Sequence, residues 1–209
     1  MILGVIPARS GSKTIKDKNL YPLCGIPLIE YTIRAAYLSK HLDDIIISTD
    51  YSDLLSESYL TNYRIRPKEL CTDDTPMINV LQDALECYET VSKTIIDAIC
   101  LLQPTSPIRF PSEIDNAILK FKNASSLYSG YYLGIKHKNK PYDKNVQLPH
   151  FQRNGSIFIT KSSLIRENKI WDDDVIEFEM PKERSIDIDD MSDMFIAESL
   201  IKNGILKGV

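Results

Sequence analysis

The chain has 209 residues, with 25 Lys and Arg against 29 Asp and Glu (formal charge −4), 43% hydrophobic residues and 26% charged ones. That length suits one α/β domain, which can bury about 70% of its unfolded surface without disulfide staples. The negative balance argues against a general nucleic-acid binder, which needs a basic face. No apolar run approaches the roughly 18 residues of a membrane helix.

The first residues, Met1-Ile2-Leu3-Gly4-Val5-Ile6, enter directly on an apolar run. They lack the basic start and long apolar stretch of a secretion signal, so a reducing cytoplasm is the expected setting. Residues 2–6 predict a buried strand ended by Pro7. A polar loop follows, and Pro27 opens a helix expected to reach Ser39, with Ile29, Ile33, Ala36 and Tyr37 on one face. Ile45-Ile46-Ile47 predicts a second strand, with Ser48-Thr49-Asp50 as a turn and helix start for 52–60. Residues 77–88 predict a helix through Ile78, Leu81, Ala84 and Leu85, and 97–102 a third strand cut off by Pro104.

A helix is expected after Pro111-Ser112-Glu113, capped by Ser112 or a neighbour. Residues 127–133 and 156–160 predict strands, and 136–153 an irregular insert rich in Lys, Asn, Pro and Asp. Ser192 can cap a last helix running to about Leu206. Apolar runs alternating with amphipathic segments imply one domain built on a mostly parallel sheet covered by helices. Cys24, Cys71, Cys87 and Cys100 form no CxxC and no metal-like spacing with His41, His137 and His150.

Three places can carry chemistry. Pro7-Ala8-Arg9-Ser10-Gly11-Ser12-Lys13 follows the first strand, where doubly wound folds bind ligands. Its small residues let backbone N–H groups approach a phosphate, and Arg9, Lys13, Lys16 and Lys18 add charge. A solvated surface loop reads equally well, since neither a Walker loop nor a GxGxxG is present. Asp187 and Asp189 in Ser185-Ile186-Asp187-Ile188-Asp189-Asp190 share one side of an extended segment. They suit one Mg2+ completed by water and phosphates, or are simply solvated acids at a strand end. Gln103, Thr105 and Ser106, after the third strand, offer an amide and two hydroxyls to a hydroxylated ligand or to turn chemistry. Arg66 reads a base edge or decorates a loop, and Asn154-Gly155 reads as a tight turn before a strand.

Together these stretches, with Arg66-Pro67-Lys68-Glu69-Leu70 and Arg153-Asn154-Gly155-Ser156-Ile157, resemble the cytidylyltransferases that activate sialic acids and related nonulosonic acids. They run in that family's order over essentially the whole chain. The resemblance implies a nucleotide-diphospho-sugar-transferase-like α/β fold, a mixed, mostly parallel sheet with helices on both faces in three layers. It implies CTP and a sugar acid as substrates, a CMP-sugar and pyrophosphate as products, Mg2+, and a homodimer completed through the insert.

The same resemblance gives catalytic roles to Arg9, Lys18, Asp187 and Asp189, the last two holding the metal. Nucleotide binding would fall to Ala8, Arg9, Ser12, Lys13, Asn19 and Arg66. Sugar binding would fall to Gln103, Thr105, Arg153 and Asn154. Thr14 stands where that family commonly has Gly, Pro76-Met77 replaces a Ser-Ser pair, and Lys144-Asn145-Val146-Gln147 lacks its Arg-Gln pair. A CMP-Kdo-type or other sugar nucleotidyltransferase, or a non-catalytic nucleotide-sugar-binding homologue, are the alternatives.

Overall fold

Side-chain alternation in the first strand dictates layers on both sides of a sheet. In β1 (Ile2–Ala8), Leu3 and Val5 point to one face and Ile6 and Ala8 to the other, all four with no exposure. The computed structural model describes residues 1–51, 62–133 and 150–206. In chain order β1 is followed by the small hairpin β2 (Pro22–Leu23) and β3 (Ile26–Pro27), α1 (Leu28–Tyr37), β4 (Asp44–Thr49), β5 (Tyr63–Ile65) and α2 (Met77–Ser92). Then come β6 (Ala98–Leu101), α3 (Pro111–Phe121), β7 (Ser126–Leu133), β8 (His150–Lys161), α4 (Ser162–Arg166), β9 (Val175–Glu179) and α5 (Met191–Lys202).

The described strands of the main sheet stand in the order β5-β4-β1-β6-β8-β7-β9, with β8 antiparallel to both neighbours and every other pairing parallel. On one face, Ile6, Ile47, Cys100 and Ile159 pack under Ile33 of α1 and Ile114 and Ile118 of α3. On the other, Leu3, Val5, Ile46 and Leu101 meet Leu81, Ala84 and Leu85 of α2. A third cluster joins Leu23, Leu28, Ile108 and Ile188 to Met194 and Ala197 of α5. This is the three-layer, mostly parallel mixed α/β fold the sequence implies.

Several local readings change. Ser48 and Thr49 finish β4 fully buried and are not a turn. The helix expected at 52–60 lies outside the described residues, as do 136–149 of the expected insert; residues 150–153 begin β8. Ser112 does not cap α3. Pro111 takes its first position, where a missing N–H costs nothing, and the Glu113 carboxylate accepts from Phe110 N at 2.9 Å. Asp190, and not Ser192, caps α5, accepting from Ser192 N at 2.7 Å and Asp193 N at 3.3 Å. The short elements β2, β3, β5, α4 and β9 are each too brief to build a periodic pattern in the sequence.

Candidate functional site

Beyond the carboxyl ends of β1, β4 and β6 lies a cleft of about 350 Å3. Its walls bring together Arg9, Ser12, Lys18, Asn19, Arg66, Gln103, Thr105, Asp187 and Asp189, with Asp73 and Met77. Nine of the residues singled out in the sequence therefore meet in one place, from segments more than 170 positions apart. A second groove, near Met1, Ile95 and Phe121, lies at the opposite, amino ends of β1 and β6, where parallel sheets rarely bind ligands.

The loop after β1 is fixed from several sides. Ser10 donates to Asp50 through both its N and its Oγ, each at 2.6 Å. Burial alone would raise the Asp50 carboxyl, but these bonds, its own backbone and Arg66 hold it below the ordinary range. Asn19 Nδ2 donates to the Arg9 carbonyl at 2.9 Å. Arg9 curls Nη1 onto the Ser10 and Gly11 carbonyls (3.0 and 3.1 Å), while Nη2 reaches Asp73, which also holds Lys13 at 2.7 Å. Arg66 is 4% exposed, donating Nε to Ser48 Oγ at 3.0 Å and Nη2 to Ser48 O at 2.8 Å. Those two bonds set the plane of the guanidinium without using Nη1, and burial pulls its pKa down.

The segment carrying Asp187 and Asp189 is not a strand, but its alternation holds: Ile186 and Ile188 face the α5 cluster and the two aspartates face the cleft. Ile188 N donates to the Thr105 carbonyl at 2.8 Å, tying this segment to the one after β6. Lys18 Nζ donates to the carbonyls of Ile188 (2.8 Å) and Asp189 (3.1 Å), and Thr14 Oγ1 to that of Asp189 (2.5 Å). So Lys18 is a half-buried strut between the loop after β1 and the acidic loop. Thr14 adds a bond there that a glycine cannot make.

Asp187 Oδ1 is buried without a hydrogen-bond partner among the described residues. Desolvation pushes the Asp187 pKa up, with the charge of Asp189 adding and Thr105 and Lys18 opposing. An orphaned carboxylate oxygen beside a second carboxylate is a set of donors that a hard divalent cation satisfies. No group of three or more His, Cys, Asp and Glu forms a metal cage among the described residues. All four cysteines are free.

The remaining wall depends on an irregularity in β8. Its register against β7 shifts between Tyr128 and Gly130, and Gly155, at φ +70°, lies in the bulge. Asn154-Gly155 is thus a bulge inside a long strand and not a turn before one. Asn154 is 2% exposed with its amide consumed inside the protein. It accepts from Ser129 Oγ at 2.6 Å and Ser156 N at 3.1 Å, and donates to Ser185 Oγ at 2.9 Å. It holds the bulge rather than a ligand. Arg153 does not line the cleft either; it stacks on Trp171 (4.9 Å) and Tyr128 (5.7 Å). Ala8 is fully buried beneath the loop, its side chain in the core.

Sequence reasoning missed three residues that shape this site: Asp50, Asp73 and Arg109. Arg109 is 2% exposed and donates to the Gln103 and Ser106 carbonyls (2.9 and 3.2 Å) and to Ser156 Oγ (3.0 Å). It thereby fixes the Gln103 segment against β8, and burial lowers its pKa to about 10. An arginine adjoining an apolar stretch, Pro107-Ile108-Arg109, was the available signal.

Comparison with known proteins adds the lineage. A family model described as cytidylyltransferase matches residues 3–162. The N-acylneuraminate cytidylyltransferase of Escherichia coli O18:K1:H7 is 30% identical over 94% of this chain and 51% of its own length. This chain spans about half the length of that relative and of those in Streptococcus agalactiae. The CMP-N,N'-diacetyllegionaminic acid synthase of Legionella pneumophila is 31% identical over 96% of both chains. Among solved structures, a CMP:2-keto-3-deoxy-manno-octonic acid synthetase complexed with CTP superposes with a TM-score of 0.71 over 97% of this chain and 98% of that one, at 13% identity, a likeness of fold.

Proposed function

This chain belongs to the cytidylyltransferase family, and from that premise we propose that it transfers CMP from CTP to the anomeric hydroxyl of a sialic-acid-like nonulosonic acid, releasing pyrophosphate. One observation carries the reading: a single cleft is lined by the cations Arg9, Lys18 and Arg66 together with the carboxylates Asp187 and Asp189 and the Gln103 amide. A site that only bound a neutral sugar would have little use for either set.

In this reading Arg9, Ser12, Lys13 and Lys18 bind the triphosphate, Asn19 lies by the α-phosphate, and Arg66 meets the cytosine with its plane already set. Gln103 and Thr105 orient the sugar. The hydroxyl oxygen bonds to the α-phosphorus and gives up its proton to solvent as the bond to the bridging oxygen breaks, and pyrophosphate departs with that electron pair. Negative charge on the phosphoryl and departing oxygens is what the cations offset, and fixed geometry supplies most of the remainder. Asp187 and Asp189 are the residues to hold Mg2+, a fit supported by the unpartnered Asp187 Oδ1. When bound, Mg2+ adds charge neutralisation on the phosphates.

A homodimer and a cytoplasmic setting belong to the same proposal. Among the described residues, no helix is long and apolar enough to cross a membrane. The test is to incubate the protein with CTP, Mg2+ and a panel of nonulosonic acids and analyse the products by mass spectrometry. A CMP-sugar with at least one acid is expected, and its absence with every acid would refute the reading.

A further inference from the structure

Two cations of the phosphate loop, Arg9 and Lys13, are held by one carboxylate that also lines the cleft, Asp73. Asp73 presents Oδ1 to Arg9 and Oδ2 to Lys13, bridging two cations four residues apart as two oxygens of one phosphate would. Its side chain is 27% exposed, so the contact is partly shielded from solvent. Lys13's hydrogen bond, and then Arg9, hold the Asp73 carboxyl below its ordinary range.

We propose that Asp73 is a built-in counter-anion of the phosphate loop, displaced by the β- and γ-phosphates of the incoming nucleotide and re-paired as pyrophosphate leaves. This inference rests on the nucleotidyl-transfer reading and adds to it a role for a residue outside the reacting atoms. Without an anion, Arg9 and Lys13 would stand as two uncompensated like charges at the mouth of the loop. Asp73 supplies the anion in the free protein.

The carboxylate is also built to give way. It rides on a turn closed by Thr75 N donating to the Thr72 carbonyl at 3.3 Å and by a contact between the two threonine hydroxyls at 2.8 Å. These are local polar contacts that water can replace at small net cost. Lys13, 77% exposed at its side chain, is free to follow a phosphate.

Charge decides the competition. One carboxylate carries a single negative charge, whereas a pyrophosphate unit carries several and reaches both cations with its own oxygens. The ligand wins while it is covalently part of bound CTP. Once cleaved, pyrophosphate must hold its place against a carboxylate tethered nearby at high effective concentration. Asp73 therefore weakens retention of this product without touching CMP, which lacks the β- and γ-phosphates.

Isothermal titration of the complete chain with inorganic pyrophosphate, and separately with CMP, tests this. Asp73→Asn, or Asp73→Ser if the first variant folds poorly, is expected to bind pyrophosphate about tenfold more tightly than the unaltered protein and CMP equally well. The gain should shrink as salt is raised. Unchanged or weaker pyrophosphate binding in a variant that melts normally overturns the proposal and leaves Asp73 as a support for Arg9. If the unaltered protein binds no pyrophosphate at all, the phosphate-loop assignment itself falls, and this inference with it.

Discussion

Gly155 leaves the space that Asp187 occupies: a Cβ on the glycine would stand 3.0 Å from Asp187 Oδ2 and 2.9 Å from Gln103 Oε1. The bulge in β8 therefore sets the separation of the Asp187 carboxylate and the Gln103 amide. Gly155→Ala is expected to cost about 1–3 kcal/mol of stability, because φ there is +70°. Activity should fall further than stability accounts for, since the two side chains that must move are the ends of flexible functional groups. A thermal melt alongside turnover checks this, and a variant with unaltered turnover would show that the close approach has no catalytic meaning.

Asp189→Asn and Asp187→Asn are each expected to lower turnover by about a thousandfold with the fold intact, several kcal/mol of lost transition-state stabilisation. Asp187→Asn removes a carboxylate whose burial already disfavours its charge, so its melting temperature should hold or rise. Mg2+-dependent thermal stabilisation in the presence of CTP should vanish in both. Near-normal activity in both variants would remove the metal assignment.

Gln103→Ala is expected to raise the KM for the sugar acid well above any change in that for CTP. Losing one orienting hydrogen bond costs about 1–3 kcal/mol. The Gln103 backbone, pinned through its carbonyl by Arg109, stays in place in the variant, so a purely structural amide predicts lower stability with both KM values unchanged. Kinetics with each substrate varied in turn separates the two patterns.

Asp50→Asn should loosen the loop after β1, because Ser10 then loses two bonds to a charged acceptor. A carboxyl with its folded pKa depressed below 3.8 contributes stability that is fully present above that value and is lost as pH falls through the folded pKa. The difference in melting temperature between the two proteins is therefore expected to be constant near neutral pH and to shrink below about pH 4. A difference that grows on acidification would reverse the sign assigned to Asp50.

Much of this was legible in the residues, for identifiable reasons. The core strands announced themselves because β1, β4 and β6 are buried on both faces and read as unbroken apolar runs. The basic loop after β1 stood out against an acidic background, and the Asp187 and Asp189 pair through its i, i+2 spacing. What failed was anything set by pairing between distant segments. Asn154 looked like a turn residue beside a glycine, yet it consumes its amide inside a bulge that exists only because β7 and β8 slip in register. Arg153, its neighbour, falls on the opposite face for the same reason of alternation. Asp73 carried no local signal, since its meaning comes from two cations some 60 positions away.

The most direct test of cytidylyl transfer is pyrophosphate release measured with CTP, UTP, ATP and GTP, each offered with a set of nonulosonic acids and with Kdo. Release is expected with CTP and at least one nonulosonic acid, dependent on Mg2+ and lost in Asp189→Asn. Equal release with all four nucleotides, or none with CTP and any of the acids, would contradict it.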